Sequence, residues 1–453
     1  MDEKAIHRWV EEHEDDCVKA LQRLVRQPSV AATGEGVAEC ADMLVETMRS
    51  IGMEAWAVTA GGRPFVYGRL ASKSSNKTLI IYSHYDVERV EPLEGWEDAP
   101  YSAVIKGDRI YGRGTTDSKG NLMAHLMAVK AYREVYGDVP VNLKFVFDGE
   151  EEISSPTIDR FVAENRSLLD ADAAFSLDGG FDASDKPRIQ FGNSGLLNLE
   201  IVATGSTAGD LHSARARLVE SPVWKLVWLL STMKGPDEKI LIDGFYDNIR
   251  KPTAQERKLL EDSGWDDGEQ MKALGVTRFL TGVKGPDALE RLLFQPTCNI
   301  TGMLTGYVGE FRKSILPARA FVKMDFRLVP DQNTDDIFRK IKAHIARQPV
   351  NGFEVIHLGA VPPSYAPLDS PISRSVLDAA SAVYPQGPIV VPRSDGSGKQ
   401  APWLGAQIGV AGVASGVGPP GWHGHAPNEF ITTGHFLNGV KFAATVYANF
   451  ARA

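Results

Sequence analysis

Apolar residues recur at helical spacing from the start of the chain. Ile6, Trp9, Val10, Leu21, Leu24 and Val25 share one stripe within residues 3–27, and Pro28 stops that helix because its ring clashes with the preceding turn. The spacing predicts a second helix over residues 36–51, with Val37, Cys40, Ala41, Leu44, Val45 and Met48 buried and Gly52 closing it. Short uninterrupted apolar runs follow at 65–70, 79–82, 141–147 and 173–177, with a helical stretch over 121–136 among them. Runs of strand length alternating with helices predict an α/β domain with a mostly parallel central sheet flanked by helices.

Near Gly192 the texture changes. Strands are predicted over 196–203, 320–328 and 353–358, and helices over 221–234 and 334–347. This β-α-β-α-β order suits a smaller α+β sandwich. Between its halves, residues 235–290 are polar and rich in Asp, Lys and Gly, and no element is assigned to them. From about Ser370 the first texture returns, with a helix over 373–384, an apolar run at 389–391 and a last helix from Gly434. The pattern therefore predicts one domain made of residues 1–192 and 363–453, interrupted by an inserted domain over 193–362.

Composition narrows the function classes. A length of 453 residues exceeds one ordinary core, which agrees with two domains. The net charge of −9 argues against nucleic acid or an anionic membrane as the main partner, since both select basic surfaces. Cys17, Cys40 and Cys298 are too few and too scattered for a disulfide framework or a thiolate zinc site, so a reducing cytoplasm is the expected compartment. The N-terminus reads as a charged amphipathic helix rather than a signal peptide. No apolar run approaches the roughly 20 residues that span a bilayer.

Against that background one set of residues stands out. His84 and Asp86 lie in Ser83-His84-Tyr85-Asp86-Val87, and Asp117 in the Gly-flanked segment 112–120. Glu150, Glu151 and Glu152 follow one apolar run, Asp178 follows another, and His425 sits in His425-Ala426-Pro427-Asn428-Glu429. Each has an ordinary reading by itself. Asp117 could cap the following helix, three adjacent glutamates could form an exposed acidic turn, and His84 with Asp86 could be a surface loop. Together they fall at predicted strand ends or loops of the α/β part, where open sheets gather their ligands. Two histidines and three carboxylates suit a pair of divalent cations, and a further glutamate beside them suits a base for an attacking water. Consecutive residues cannot all face one way, so one of two neighbouring glutamates can bind metal while the other reaches the water. The chain reads as a two-metal hydrolase. Segment 396–400 lacks the spacing of a phosphate loop, and Gly112-Arg113-Gly114 lacks the third glycine of a dinucleotide fingerprint.

These motifs give the chain a resemblance over nearly its whole length to the M20-family metallopeptidases. Trp96 and Pro100-Tyr101 add to it, and Gly244-Phe245, Gln255-Glu256-Arg257 and Arg327-Leu328-Val329-Pro330 resemble the dipeptidase branch in particular. The resemblance implies that His84 and Asp178 hold one metal, Glu152 and His425 the other, and that Asp117 bridges them. It further implies that Asp86 orients His84 and that Glu151 is the general base. His212 would act in the neighbouring subunit's site, with the inserted domain serving as lid and dimerisation domain, and Arg327 and Ser397 would bind the substrate carboxylate. The implied cofactors are two divalent ions, Zn2+ first, with Mn2+ or Co2+ able to occupy the same site. The implied reaction is amide hydrolysis in dipeptides or similar small peptides, and the alternatives are an aminoacylase-like hydrolase of N-acyl amino acids or a non-catalytic homologue. Glu151 argues against the last, since a binding module has no need of a base. Ser118, Ile153-Ser154-Ser155 and Ala214 depart from the common pattern without removing a ligand.

Overall fold

The computed structural model describes residues 1–453. The chain separates into two compact units: Met1–Gly192 with Tyr365–Arg393 and Gly398–Ala453, and Asn193–Ser364 with Ser394–Ser397.

The first unit is built on an eight-stranded sheet. Its order is Glu54–Val58, Phe65–Leu70, Asn142–Asp148, Thr78–His84, Ala173–Leu177, Gly412–Ser415, Arg188–Gln190 and Ile389–Val391. The central strand Thr78–His84 runs parallel to both neighbours, and Ala173–Leu177 runs parallel to Gly412–Ser415. Leu79, Ile80, Ile81 and Tyr82 are all buried, which is why this strand reads as a continuous apolar run rather than an alternation. Helices Lys119–Tyr136 and Thr433–Arg452 pack together beside the sheet, tied by Tyr132 Oη to the Ala444 carbonyl at 3.0 Å.

The helix predicted over 3–27 is two helices, Glu3–Glu12 and Glu14–Val25, broken at His13. His13 leaves helical geometry at φ −121° and ψ 29°, its N–H returns to the Trp9 carbonyl, and its ring stacks on Trp9 at 4.3 Å. The buried stripe resumes at Cys17, about two turns after Val10, so the apolar spacing carries no trace of the break.

The second unit is a four-stranded antiparallel sheet in the order Asn299–Met303, Arg319–Leu328, Gly195–Thr204, Phe353–Val361. Leu197, Leu199 and Ile201 pair with Phe326, Met324 and Val322, and this face packs on helices Pro222–Met233 and Thr334–Ala346. Asn299–Met303 has no counterpart in the sequence reading. It is an edge strand exposed at every residue, so its side chains show no buried alternation. Residues 235–290 contain helices Ala254–Glu261 and Asp267–Leu274 and the start of Gly285–Phe294.

Candidate metal centre

The parallel strands of the first unit deliver the predicted residues to one end of the sheet. His84 ends Thr78–His84, Asp178 directly follows Ala173–Leu177, and Glu151 and Glu152 lie in the turn after Asn142–Asp148. Asp117 occupies the loop before helix Lys119–Tyr136, and His425 the loop before Phe430–Thr432. Glycine serves one clear purpose there. Gly114 holds φ +90°, and a Cβ on it would meet Val87 at 2.8 Å. His425 itself is held at φ +56°, a conformation that a side chain rarely adopts without a local reason.

Asp117 lies between the two imidazoles. Its Oδ1 is 3.1 Å from His84 Nε2, and its Oδ2 is 3.1 Å from His425 Nε2. Asp178 Oδ1 lies 3.5 Å from His84 Nε2, and Glu152 Oε2 lies 3.2 Å from His425 Nε2. Gln400 donates its side-chain amide to the other oxygen of Asp178. The five predicted ligands thus meet at one place. Ligand atoms of His84, Asp117 and Glu152 lie within 4.8 Å of one another, and so do those of Glu88, Glu152 and His425. Glu88 was not singled out in the sequence, although it lies only two residues beyond Asp86.

The adjacent glutamates part company. Glu150 turns into the fold, where its carboxylate accepts from the Arg63 amide at 2.7 Å and from Thr157. Glu151 and Glu152 stay with the cluster. Asp86 is fully buried, and its carboxylate accepts the amides of Glu151 at 3.1 Å and Glu152 at 3.0 Å. His84 Nδ1 lies 3.1 Å from the Asp86 carbonyl and 3.4 Å from its carboxylate. Asp86 therefore faces His84 with both its carbonyl and its carboxylate, and the carboxylate also ties the two glutamates to the end of the neighbouring strand.

The electrostatics fit cations. A proton on His84 Nδ1, donated to the Asp86 carbonyl, leaves the Nε2 lone pair facing two carboxylates. That arrangement is repulsive unless positive charge sits between them. His84 accordingly holds a proton far more tightly than a free imidazole, because its bonds to Asp117, Asp178 and Asp86 outweigh its burial. His425 is pushed up to about 11 by Asp117 and Glu152. Burial would raise Asp117, but its bonds to His425 and His84 bring it well below the usual carboxylate range. Burial pushes Glu151 up to about 8, and the charges of Asp178, Glu152 and Asp117 add to this against the pull of His84. Imidazole Nε2 atoms and carboxylate oxygens, held together in a charge-hungry cluster, are a suitable donor set for divalent cations.

His212, Arg327 and Ser397 belong to the second unit. His212 is exposed at the end of the short strand Leu211–His212, and its Nδ1 accepts from the Ala214 amide at 3.2 Å. Arg327 Nη1 donates to Ser397 Oγ at 3.0 Å, so these two expected carboxylate binders do meet.

A mostly parallel sheet whose strand ends gather imidazoles and carboxylates in this way places the chain among the hydrolases that depend on metal ions. The chain belongs to peptidase family M20/M25/M40, which residues 80–449 match. It is 27% identical to the Cys-Gly metallodipeptidase DUG1 of Candida albicans, over 95% of this chain and 94% of that one. It is 25% identical to the human Beta-Ala-His dipeptidase, over 99% and 92% of the two chains. Among solved structures it is similar to an M20 family metallo-carboxypeptidase, Sso-CP2 from Sulfolobus solfataricus, with TM-score 0.84, 35% identity and coverage of 96% and 99%. No helix is long and apolar enough to cross a membrane.

Proposed function

We propose that this chain hydrolyses the peptide bond of dipeptides and similar small peptides at the centre just described. The observation that carries the reading is the meeting of five ligand side chains, with Asp117 between His84 and His425, Asp178 on His84 and Glu152 on His425, and Glu151 beside them. His84 and Asp178 would hold one divalent ion, Glu152 and His425 the other, and Asp117 both, with zinc favoured over manganese or cobalt. Such ions supply Lewis-acid charge that polarises the substrate carbonyl and acidifies water.

Glu151 takes one proton from the attacking water as its oxygen bonds to the carbonyl carbon. When the C–N bond breaks, Glu151 returns that proton to the departing amine. Asp86 keeps Glu151 and Glu152 in register through their amides. His212 acts in the site of a second copy and donates to the carbonyl oxygen as it gains charge. Arg327, braced by Ser397, pairs with the carboxylate at the substrate's C-terminus.

We further propose a homodimer joined through the second unit. Helix Pro222–Met233 exposes Trp224 and Trp228, 57% and 52% accessible, stacked at 5.8 Å, and Asn299–Met303 leaves a sheet edge unpaired. All three cysteines are free and buried, which suits a reducing cytoplasm.

Likeness to the carboxypeptidase favours a second reading, in which longer peptides are trimmed from the C-terminus. A panel of dipeptides, N-blocked dipeptides and tripeptides with added zinc or manganese separates the two. A dipeptidase cleaves only the free dipeptides, and a carboxypeptidase also cleaves the blocked ones. Exhaustive chelation should abolish either activity, and full turnover by verified metal-free protein would defeat both readings.

A further inference from the structure

Glu429 is fully buried yet carries four hydrogen bonds on its carboxylate. Oε1 accepts the amides of Thr116 at 2.9 Å and Asp117 at 3.0 Å. Oε2 accepts the Gly114 amide at 3.0 Å and Arg113 Nη1 at 2.8 Å. The surrounding backbone reciprocates: the Gly112 amide donates to the Glu429 carbonyl at 2.9 Å, and Thr116 Oγ1 donates to the Phe430 carbonyl at 2.9 Å. Arg113, also buried, uses Nη2 on the Arg89 carbonyl at 3.1 Å.

Three amides of segment 112–117, those of Gly114, Thr116 and Asp117, are thus gathered on one side chain from a distant part of the sequence. Asp117 is gripped from two directions. Glu429 holds its main chain, and the two imidazoles face its side chain. One of those imidazoles, His425, lies in the same loop as Glu429, four residues upstream. Resting on the metal-centre reading above, we propose that Glu429 is a positioning residue that sets the distance between Asp117 and His425 and thereby the affinity of the centre for divalent ions. The role needs a carboxylate. Glu429 receives only donors, so a glutamine in its place would present an NH2 group to two of them and lose both bonds. Arg113 makes the buried charge tolerable without removing the acceptors.

Glu429→Gln tests this. The readouts are equilibrium binding of Zn2+ alone, measured against a competing chelator, and the thermal midpoint of the metal-free protein. The expected result is a folded variant whose ion affinity falls about 10–100-fold, the usual effect of removing a partner that orients ligands. Its turnover should recover in part at high metal concentration, which a fold defect would not allow. Glu429→Asp, which keeps the charge but withdraws it by one methylene, should weaken binding in the same sense. A Glu429→Gln variant with native ion affinity overturns the proposal, as does failure of both variants to fold, which would assign Glu429 to the core alone. If the unaltered protein binds no divalent ion, the metal-centre reading fails first. If it binds ions and the variants match it, only the role of Glu429 fails.

Discussion

Three consecutive glutamates meet two different fates. Glu150 is consumed by the Arg63 amide and Thr157, while Glu151 and Glu152 are presented to the cluster with their amides clasped by Asp86. This separation makes Glu151 testable apart from the ligands. Glu151→Gln keeps the side-chain volume and removes the proton acceptor. It should retain both ions in an elemental assay while turnover falls by about 10²–10⁴ or more. Loss of metal on that substitution would mean that the base and the ligand are the reverse of the assignment. At this scale the residues of the cluster were visible in the sequence because each is marked by a strand end or a glycine-bearing loop. A second use of Asp86, beside the expected one at His84, was not visible. Its carboxylate serves amides on the neighbouring strand's turn, and such a bond exists only once the parallel pairing of Thr78–His84 with Asn142–Asp148 is made.

Among the elements, the strand Asn142–Asp148 and the turn after it bury the carboxyl groups of Asp148 and Glu150. Asp148 is fully buried and accepts from Ser155 Oγ at 2.6 Å, Tyr82 Oη at 3.1 Å and the Glu150 amide at 2.9 Å. Burial, with the charge of Asp86 behind it, pushes Asp148 up to about 7. The sign follows from proton counting. Above its unfolded value near 3.8 the folded chain keeps a proton that the unfolded chain releases, so stability falls as pH rises until about 7 is passed. Asp148→Asn removes that dependence. Its stability relative to the parent should therefore rise by about 2–3 kcal/mol between pH 5 and pH 8 in urea melts followed by a probe in the first unit. A constant difference across that range would show that Asp148 is ionised in the folded state. Two features were lost to the sequence reading for different reasons. Asn299–Met303 lies open on a sheet edge, and the break at His13 leaves the apolar stripe in phase. Helix Ala254–Glu261 did announce itself, through a capping box of Thr253 and Glu256, but its largely polar composition hid it in a polar stretch.

For the whole molecule, the proposed action of His212 in a second copy requires the proposed dimer, although the dimer does not require it. His212→Ala and Glu151→Gln should each be inactive alone. Mixed and allowed to exchange subunits, they should recover activity, because one site of each mixed dimer carries both lesions and the other neither. Recovery can approach a quarter of the parent value if exchange is statistical, since half the dimers are then mixed and each has one intact site. No recovery despite exchange confirmed by mass labelling, or full activity in a strictly monomeric protein, would rule out action across the interface.

The first unit is assembled from chain on both sides of the second. Asp117, Glu151, Glu152 and Asp178 are all in place before the second unit begins, whereas His425 and Glu429 follow it. During synthesis, the early segment lacks the sheet strands Ile389–Val391 and Gly412–Ser415, the second imidazole and the carboxylate that accepts the Gly114, Thr116 and Asp117 amides. On the proposed ligand set and the proposed role of Glu429, cation capture at full strength is deferred until the polypeptide has passed through the entire interruption and returned. Metal content then becomes a record of completed folding: a nascent or prematurely terminated chain would remain a poor competitor for scarce ions in the cell.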